Sequence, residues 1–131
     1  MKSILLVDDE PMTLRVMRQA LEKDGFEIRT AFDGKDALEE IIMSPPDVLI
    51  TDIDMPRMTG KELCQLIQEK MPDRRFPIFI TTSLTALEHR NWSSEISDLT
   101  FVEKPVSLRK LRAALLKIMP PTDSAAVGPI Q

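Results

Sequence analysis

Charged side chains follow three short apolar runs that lie far apart in the chain. They are Asp8 and Asp9 after residues 3–7, Asp52 after residues 47–51, and Lys104 after residues 99–103. If the runs are neighbouring parallel strands, their carboxyl ends share one edge of a sheet, where open α/β folds place ligands. The pattern therefore predicts one site built from three carboxylates and an ammonium group.

Three ionised carboxylates in one pocket require a compensating cation. At about 4 Å and an effective dielectric constant of about 20, each pair repels by roughly 4 kcal/mol. Oxygen ligands suit a hard divalent ion such as Mg²⁺, which keeps several waters and commonly accompanies phosphate. One carboxylate can then attack phosphorus while the metal and a lysine neutralise charge on the phosphoryl oxygens. Asp52 is the candidate for that nucleophile.

The elements that must position these side chains are visible as short apolar runs that alternate with helix-length segments. This alternation is typical of repeated βα units and a parallel sheet, and it predicts an α/β fold. The predicted strands cover residues 3–8, 27–31, 47–52, 77–82 and 99–103. The predicted helices cover residues 11–23, 34–43, 60–70, 86–95 and 107–119. The third and fourth strands are apolar on consecutive residues, which indicates that helices cover both faces of the sheet.

Local signals support the ends of these helices. Asp33 and Gly34 open the second helix, and Ser107 can cap the fifth. The fifth helix carries an apolar stripe that is predicted to face the sheet, formed by Leu108, Leu111, Leu115 and Ile118. The fourth predicted helix has a weak stripe and several poor helix formers, so we expect it to be short, mobile, or held partly by a partner.

Length and composition exclude several functional classes. The 131 residues suit one domain, residues 1–119, and residues 120–131 are predicted to be a flexible tail or the start of a linker. The apolar runs are far shorter than the ~20 residues that span a bilayer, and the amino terminus does not resemble a signal peptide. The predicted location is cytoplasmic. The net charge of −4, without a cluster of Lys and Arg, argues against direct binding of nucleic acid.

The chain resembles the receiver domain of two-component response regulators, of the chemotaxis-regulator type, over about residues 1–119. In that family an acid pair after the first strand holds Mg²⁺ or Mn²⁺, and an aspartate that ends the third strand accepts phosphate from a histidine kinase. A lysine that ends the fifth strand contacts the phosphoryl group. Asp8, Asp9, Asp52 and Lys104 stand at those positions. The resemblance implies a three-layer, doubly wound, flavodoxin-like (βα)₅ sandwich with five parallel strands in the order 2-1-3-4-5.

The resemblance assigns roles to further residues. Thr82 stands at the family's conserved hydroxyl position, Phe101 at its aromatic switch position, and Lys104-Pro105 at its cis peptide. The backbone carbonyl of Asp54 is implied as a metal ligand. Phosphorylation would then move Thr82 and Phe101 and alter the face formed by the fourth helix, fifth strand and fifth helix. Asp54 and Leu84, two residues beyond Asp52 and Thr82, are expected to tune the lifetime of the phosphate.

The implied partners are proteins. A histidine kinase or phosphotransfer protein would donate the phosphoryl group, and a downstream protein target or a missing effector domain would read it. A phosphorylation-dependent homodimer is also implied. The role is that of a signalling phosphoacceptor that promotes its own phosphorylation and dephosphorylation, and not that of an enzyme.

Two other functions stay open at this stage. Residues 48–54 resemble the Asp-x-Asp nucleophile loop of haloacid dehalogenases, which would make the chain an aspartyl-phosphate hydrolase. The chain could also be a receiver-shaped interaction module that works without phosphate. For single residues, Phe101 is alternatively a plain core residue, and Trp92 is either an exposed anchor for a partner or part of the core.

Overall fold

Five parallel strands form the centre of the fold in the computed structural model, which describes residues 2–83 and 90–119. The strands are β1 (Ser3–Val7), β2 (Glu27–Ala31), β3 (Val48–Asp52), β4 (Ile78–Thr82) and β5 (Leu99–Glu103). Their order in the sheet is β2-β1-β3-β4-β5, and each neighbouring pair is parallel. This confirms the α/β class and the strand order that the resemblance implies.

The helices connect successive strands. They are α1 (Pro11–Glu22), α2 (Gly34–Met43), α3 (Gly60–Lys70), α4 (Arg90–Ser93) and α5 (Leu108–Ile118). The predicted fourth helix, residues 86–95, lies partly outside the described residues, and the predicted tail at residues 120–131 lies wholly outside them. Within the described part of the chain, no helix has both the length and the apolar character needed to cross a membrane.

Side chains at the helix starts satisfy backbone amides that the helices leave unpaired. The Asp33 carboxylate accepts from the backbone N–H of Asp36 at 2.9 Å, and the Ser107 hydroxyl accepts from that of Lys110 at 3.3 Å. Both residues therefore cap their helices as predicted. Thr59 forms a capping box at the start of α3.

The two faces of the sheet bury separate apolar layers. Alternate residues of β1 point to opposite faces, so that Leu5 and Val7 join the layer with α2 and α3, whereas Ile4 and Leu6 join the layer with α1 and α5. β3 and β4 are buried along their whole length. The layers hold these strands rigidly, and thereby fix the positions of the side chains at their carboxyl ends.

One prediction about α5 is wrong. Leu111 and Leu115 are buried against the sheet and Leu108 is half-buried, but Ile118 is 48% exposed. Met119 is buried in its place, because the backbone leaves helical geometry at this residue and its side chain completes the core at the end of the helix.

The turn before β5 is built without the glycine that a tight backbone usually requires. Asp98 adopts a left-handed conformation with φ of 54°, which Asp tolerates better than most residues do. The guanidinium of Arg74 stabilises the turn by donating hydrogen bonds to the backbone carbonyls of Phe76 and Ser97. β5 thus enters the sheet from a loop that is tied to the loop before β4.

Candidate functional site

The carboxyl ends of β1, β3 and β5 bring the predicted charged residues together. Asp8, Asp9 and Asp52 each offer a carboxylate oxygen, and these oxygens lie within 4.8 Å of one another. The Nζ atom of Lys104 lies 2.9 Å from Oδ1 of Asp52. Residues separated by up to 96 positions therefore share one pocket, because parallel strands end at the same edge of the sheet.

Asp52 is held in one orientation at the end of β3. Its side chain is only 5% exposed, and Oδ1 accepts from the backbone N–H of Ile53 at 2.8 Å as well as from Lys104. Both of these bonds use Oδ1, so the other carboxylate oxygen, Oδ2, is the one placed to form a new bond. The hydroxyl of Thr51 donates to the backbone carbonyl of Asp52 at 2.9 Å.

The end of β3 also depends on a close approach by α3. A Cβ atom on Gly60 would lie 2.3 Å from the carbonyl oxygen of Asp52, which no real side chain tolerates. The N–H of Gly60 donates to the carbonyl of Ile53 at 2.9 Å. Glycine is therefore required at this position, and α3 supports the backbone that carries Asp52.

The pocket disfavours the ionised form of Asp8. Burial, together with the nearby charges of Asp52 and Asp9, raises its pKa to about 6, although the N–H of Glu10 donates to its Oδ1 at 2.9 Å. Asp9 is exposed at the rim. Burial is the main cause of the raised pKa, and the neighbouring carboxylates add to it.

Lys104 is the cation that the protein itself supplies. Burial alone would lower its pKa, but the hydrogen bond to Asp52 and the charges of Asp52, Asp8 and Asp54 outweigh burial and raise it. The backbone N–H of Lys104 donates to the carbonyl of Thr82 at 2.9 Å, and its peptide bond to Pro105 is cis, as the resemblance implies. The ammonium group is thus charged and directed at Asp52.

The donor set suits a hard divalent cation. Within the described residues, the group of side chains that could hold a metal ion consists of three carboxylates, without histidine or cysteine. Cys64 is buried in the core, and desolvation raises the pKa of its thiol to about 12, so it does not offer a thiolate at neutral pH. The fit is to Mg²⁺ or Mn²⁺ and not to zinc.

The remaining predicted residues surround the pocket at different depths. Thr82 is fully buried at the end of β4, and the side chain of Asp54 is exposed. Phe101 is half-buried on β5, where its ring meets that of Trp92 edge-on, with 6.1 Å between the centroids. Trp92 is itself half-buried against the core, so it is not a fully exposed anchor. Leu84 lies outside the described residues.

The sequence contains no signal for the ion pairs that Arg57 forms with Asp33 and Asp36. Arg57, in the loop after β3, bonds to Asp33 and Asp36 at the start of α2. More than 20 positions separate these residues from Arg57, and no motif links them. Only the packing of the loop against α2 reveals the contact.

Comparison with known proteins agrees with this geometry. The family model described as the response regulator receiver domain matches residues 4–116. The alkaline phosphatase synthesis transcriptional regulatory protein PhoP of Bacillus subtilis is 32% identical over 126 residues, which are 95% of this chain and 51% of that protein. Response regulator MprA of Mycobacterium bovis is 32% identical over 125 residues, 93% of this chain and 54% of that protein. The chain spans about half the length of these curated relatives.

Solved structures agree in fold as well. Chemotaxis response regulator CheY4 of Vibrio cholerae superposes with a TM-score of 0.81 at 28% identity, over 91% of this chain and 99% of that one. Response regulator TrrA of Thermotoga maritima, solved in complex with Mg(2+)-BeF, gives a TM-score of 0.78 at 30% identity, over 91% of this chain and all of that one. The likeness to haloacid dehalogenases, by contrast, covers only residues 48–54. The chain belongs to the receiver domains of two-component response regulators.

Proposed function

We propose that Asp52 accepts a phosphoryl group from a phosphohistidine of a histidine kinase or phosphotransfer protein. The observation that carries this proposal is the convergence of Asp52 with two further acids and Lys104 in one pocket. The P–N bond of the donor breaks as an O–P bond forms at Oδ2 of Asp52, and the donor imidazole keeps the electron pair of the broken bond. The result is an acyl phosphate at the end of β3.

Asp8, Asp9, Asp52 and the backbone carbonyl of Asp54 are the groups that would hold Mg²⁺ or Mn²⁺. When bound, the ion neutralises charge on the phosphoryl oxygens. The structure of TrrA contains Mg(2+)-BeF, which supports such a site in a relative. In this chain the support is the crowded set of carboxylates and the raised pKa of Asp8.

Lys104 and Thr82 respond to the new charge. Phosphorylation adds about −1.5 to −2 charges. The Lys104 ammonium group, already 2.9 Å from Asp52, moves its hydrogen bond to a phosphoryl oxygen, and the Thr82 hydroxyl donates to another. Asp54 at the rim and Leu84, two residues after Thr82 in the sequence, tune how readily water attacks the acyl phosphate.

The conformational change at Thr82 on β4 leads to a change at Phe101 on β5. As Thr82 moves towards the phosphate, Phe101 turns inward, and its edge-on contact with Trp92 is lost or remade. This changes the α4-β5-α5 face, where a downstream protein, an effector domain or a second copy of the chain binds. Residues 1–119 form the receiver domain in this proposal, which acts in the cytoplasm as a signalling phosphoacceptor.

Removal of divalent metal is expected to stop phosphorylation. The purified chain is incubated with radiolabelled acetyl phosphate and millimolar Mg²⁺, with or without excess EDTA, and bound label is counted after denaturing electrophoresis. We expect label only with Mg²⁺, and recovery when Mg²⁺ is restored, because the carboxylates otherwise repel the incoming phosphoryl oxygens.

One outcome would contradict the metal requirement, and two others would favour a different function. Equal labelling in EDTA would contradict the metal requirement. Steady release of phosphate from small phosphate esters, without bound label, would favour a dehalogenase-like hydrolase. A partner that binds the labelled and unlabelled chains equally would favour a phosphorylation-independent interaction module.

A further inference from the structure

Arg57 joins the loop after β3 to the start of α2. This loop, residues 53–59, leads from Asp52 to α3. The Nε atom of Arg57 donates to Oδ2 of Asp33 at 2.7 Å, and its Nη2 atom donates to Oδ1 of Asp36 at 3.0 Å. Asp33 is the buried N-cap of α2, so the guanidinium bonds to a group whose position the helix fixes.

The backbone at Arg57 is strained. Its φ of 65° lies in the left-handed region, which is sterically unfavourable for a residue with a side chain. Such a conformation persists only where the surroundings hold it. The two ion pairs are the contacts that the side chain contributes to holding it.

Backbone contacts hold the same loop next to Arg57. The N–H of Gly34, the first residue of α2, donates to the carbonyl of Met58 at 3.2 Å. A Cβ on Gly34 would lie 2.6 Å from that carbonyl oxygen, so helix and loop are in close contact. The contact of Gly34 with Met58 holds the loop against α2, and the contact of Gly60 with Asp52 holds it at the end of β3. Asp54 lies between the two attachments.

We infer that Arg57 is a positioning residue for the phosphoacceptor site: its ion pairs with Asp33 and Asp36 hold the loop that carries the Asp54 carbonyl. The inference rests on the proposed function, because it assigns that carbonyl to the metal. Ion pairs of this exposure contribute little to global stability. A loosened ligand, by contrast, weakens metal binding directly. The effect of Arg57 should therefore appear in Mg²⁺ affinity much more than in unfolding.

The test compares Mg²⁺ binding and unfolding in variants of the whole chain. Isothermal titration calorimetry gives the Kd for Mg²⁺, and thermal melts without metal give Tm. We expect Arg57→Ala to raise the Kd about tenfold and Arg57→Lys to raise it less, because lysine keeps the charge but lacks the planar fork. The control Arg109→Ala, at an exposed arginine of α5, should leave the Kd unchanged.

Phosphorylation kinetics give a second readout. The rate of labelling by acetyl phosphate is measured against Mg²⁺ concentration. For Arg57→Ala we expect the half-saturating Mg²⁺ concentration to rise, with the maximal rate close to that of wild type. A fall in the maximal rate alone, with the same half-saturating concentration, would contradict a positioning role.

The outcomes separate this inference from the proposed function. Wild type that binds Mg²⁺, alongside Arg57→Ala with the same Kd, would overturn only the role of Arg57. Wild type that neither binds Mg²⁺ nor takes label would overturn both. If Arg57→Ala does not fold, Asp36→Asn is the second variant, because it removes one ion pair of Arg57 and leaves the N-cap Asp33 in place. An unchanged Kd for Mg²⁺ in Asp36→Asn would then overturn the inference.

Discussion

Asp52→Ala is expected to incorporate no label from acetyl phosphate and Mg²⁺, a loss of at least about a hundredfold relative to wild type. The reason is geometric. Among the three acids of the pocket, Asp52 is the one that Lys104 contacts, at 2.9 Å, and its Oδ1 is fixed by the N–H of Ile53. Asp8 is a poor substitute, because its Oδ1 already accepts from the N–H of Glu10 and the ion pair of Lys104 is with Asp52.

The measurement is a labelling time course on folded protein. Circular dichroism first checks that Asp52→Ala keeps its secondary structure. We expect the variant to fold, because Lys104 is partly exposed and water can solvate its ammonium group when Asp52 is absent. Asp73→Ala, which removes an exposed acid from the loop before β4, serves as the matched control and should label like wild type. Labelling of Asp52→Ala at the wild-type level would refute the role of Asp52.

Asp8→Asn is expected to make the metal-free protein more stable at neutral pH. The pKa of Asp8 is about 6 in the folded protein and 3.8 as its reference value, so the folded state favours the protonated form. Below about pH 3.8 the group is protonated in both states and has no effect. As pH rises towards 6 the folded state loses stability, and above pH 6 the full loss of about 3 kcal/mol is present. Asparagine removes this charge, and its amide oxygen can still accept from Glu10.

Denaturant unfolding in EDTA checks this expectation at two pH values. We expect Asp8→Asn to exceed wild type by up to about 3 kcal/mol near pH 7.5, and the difference to shrink near pH 4. Millimolar Mg²⁺ should stabilise wild type but have little effect on the variant. A variant that is less stable than wild type near pH 7.5 without metal would contradict the claim that the folded state disfavours the ionised form of Asp8.

The sequence carries most of the fold and the centre of the site. Consecutive apolar residues in β3 and β4 indicate strands that are buried on both faces, and the structure buries both strands completely. Once the strands are parallel, residues that follow them must meet at one edge. Asp8, Asp52 and Lys104 converge for this reason, and their types alone indicate a cation and a phosphoryl group.

Features that depend on packing between distant segments could not be predicted. The left-handed Arg57 and its bonds to Asp33 arise because the loop after β3 rests on α2, and sequence spacing does not contain that contact. The exposure of Ile118 follows from where α5 ends relative to the core, a difference of a single residue. The edge-on contact of Phe101 with Trp92 likewise requires knowledge of how α4 lies against β5.

Mapping the phosphoryl group tests the central claim most directly. Wild-type protein is phosphorylated with acetyl phosphate and Mg²⁺, reduced with borohydride to convert any acyl phosphate of aspartate into homoserine, digested, and sequenced by mass spectrometry. The account predicts homoserine at position 52 and at no other acid, and none when EDTA is present during phosphorylation. Conversion at Asp9 or Asp54 instead, or label retained on His89 with position 52 unchanged, would contradict it.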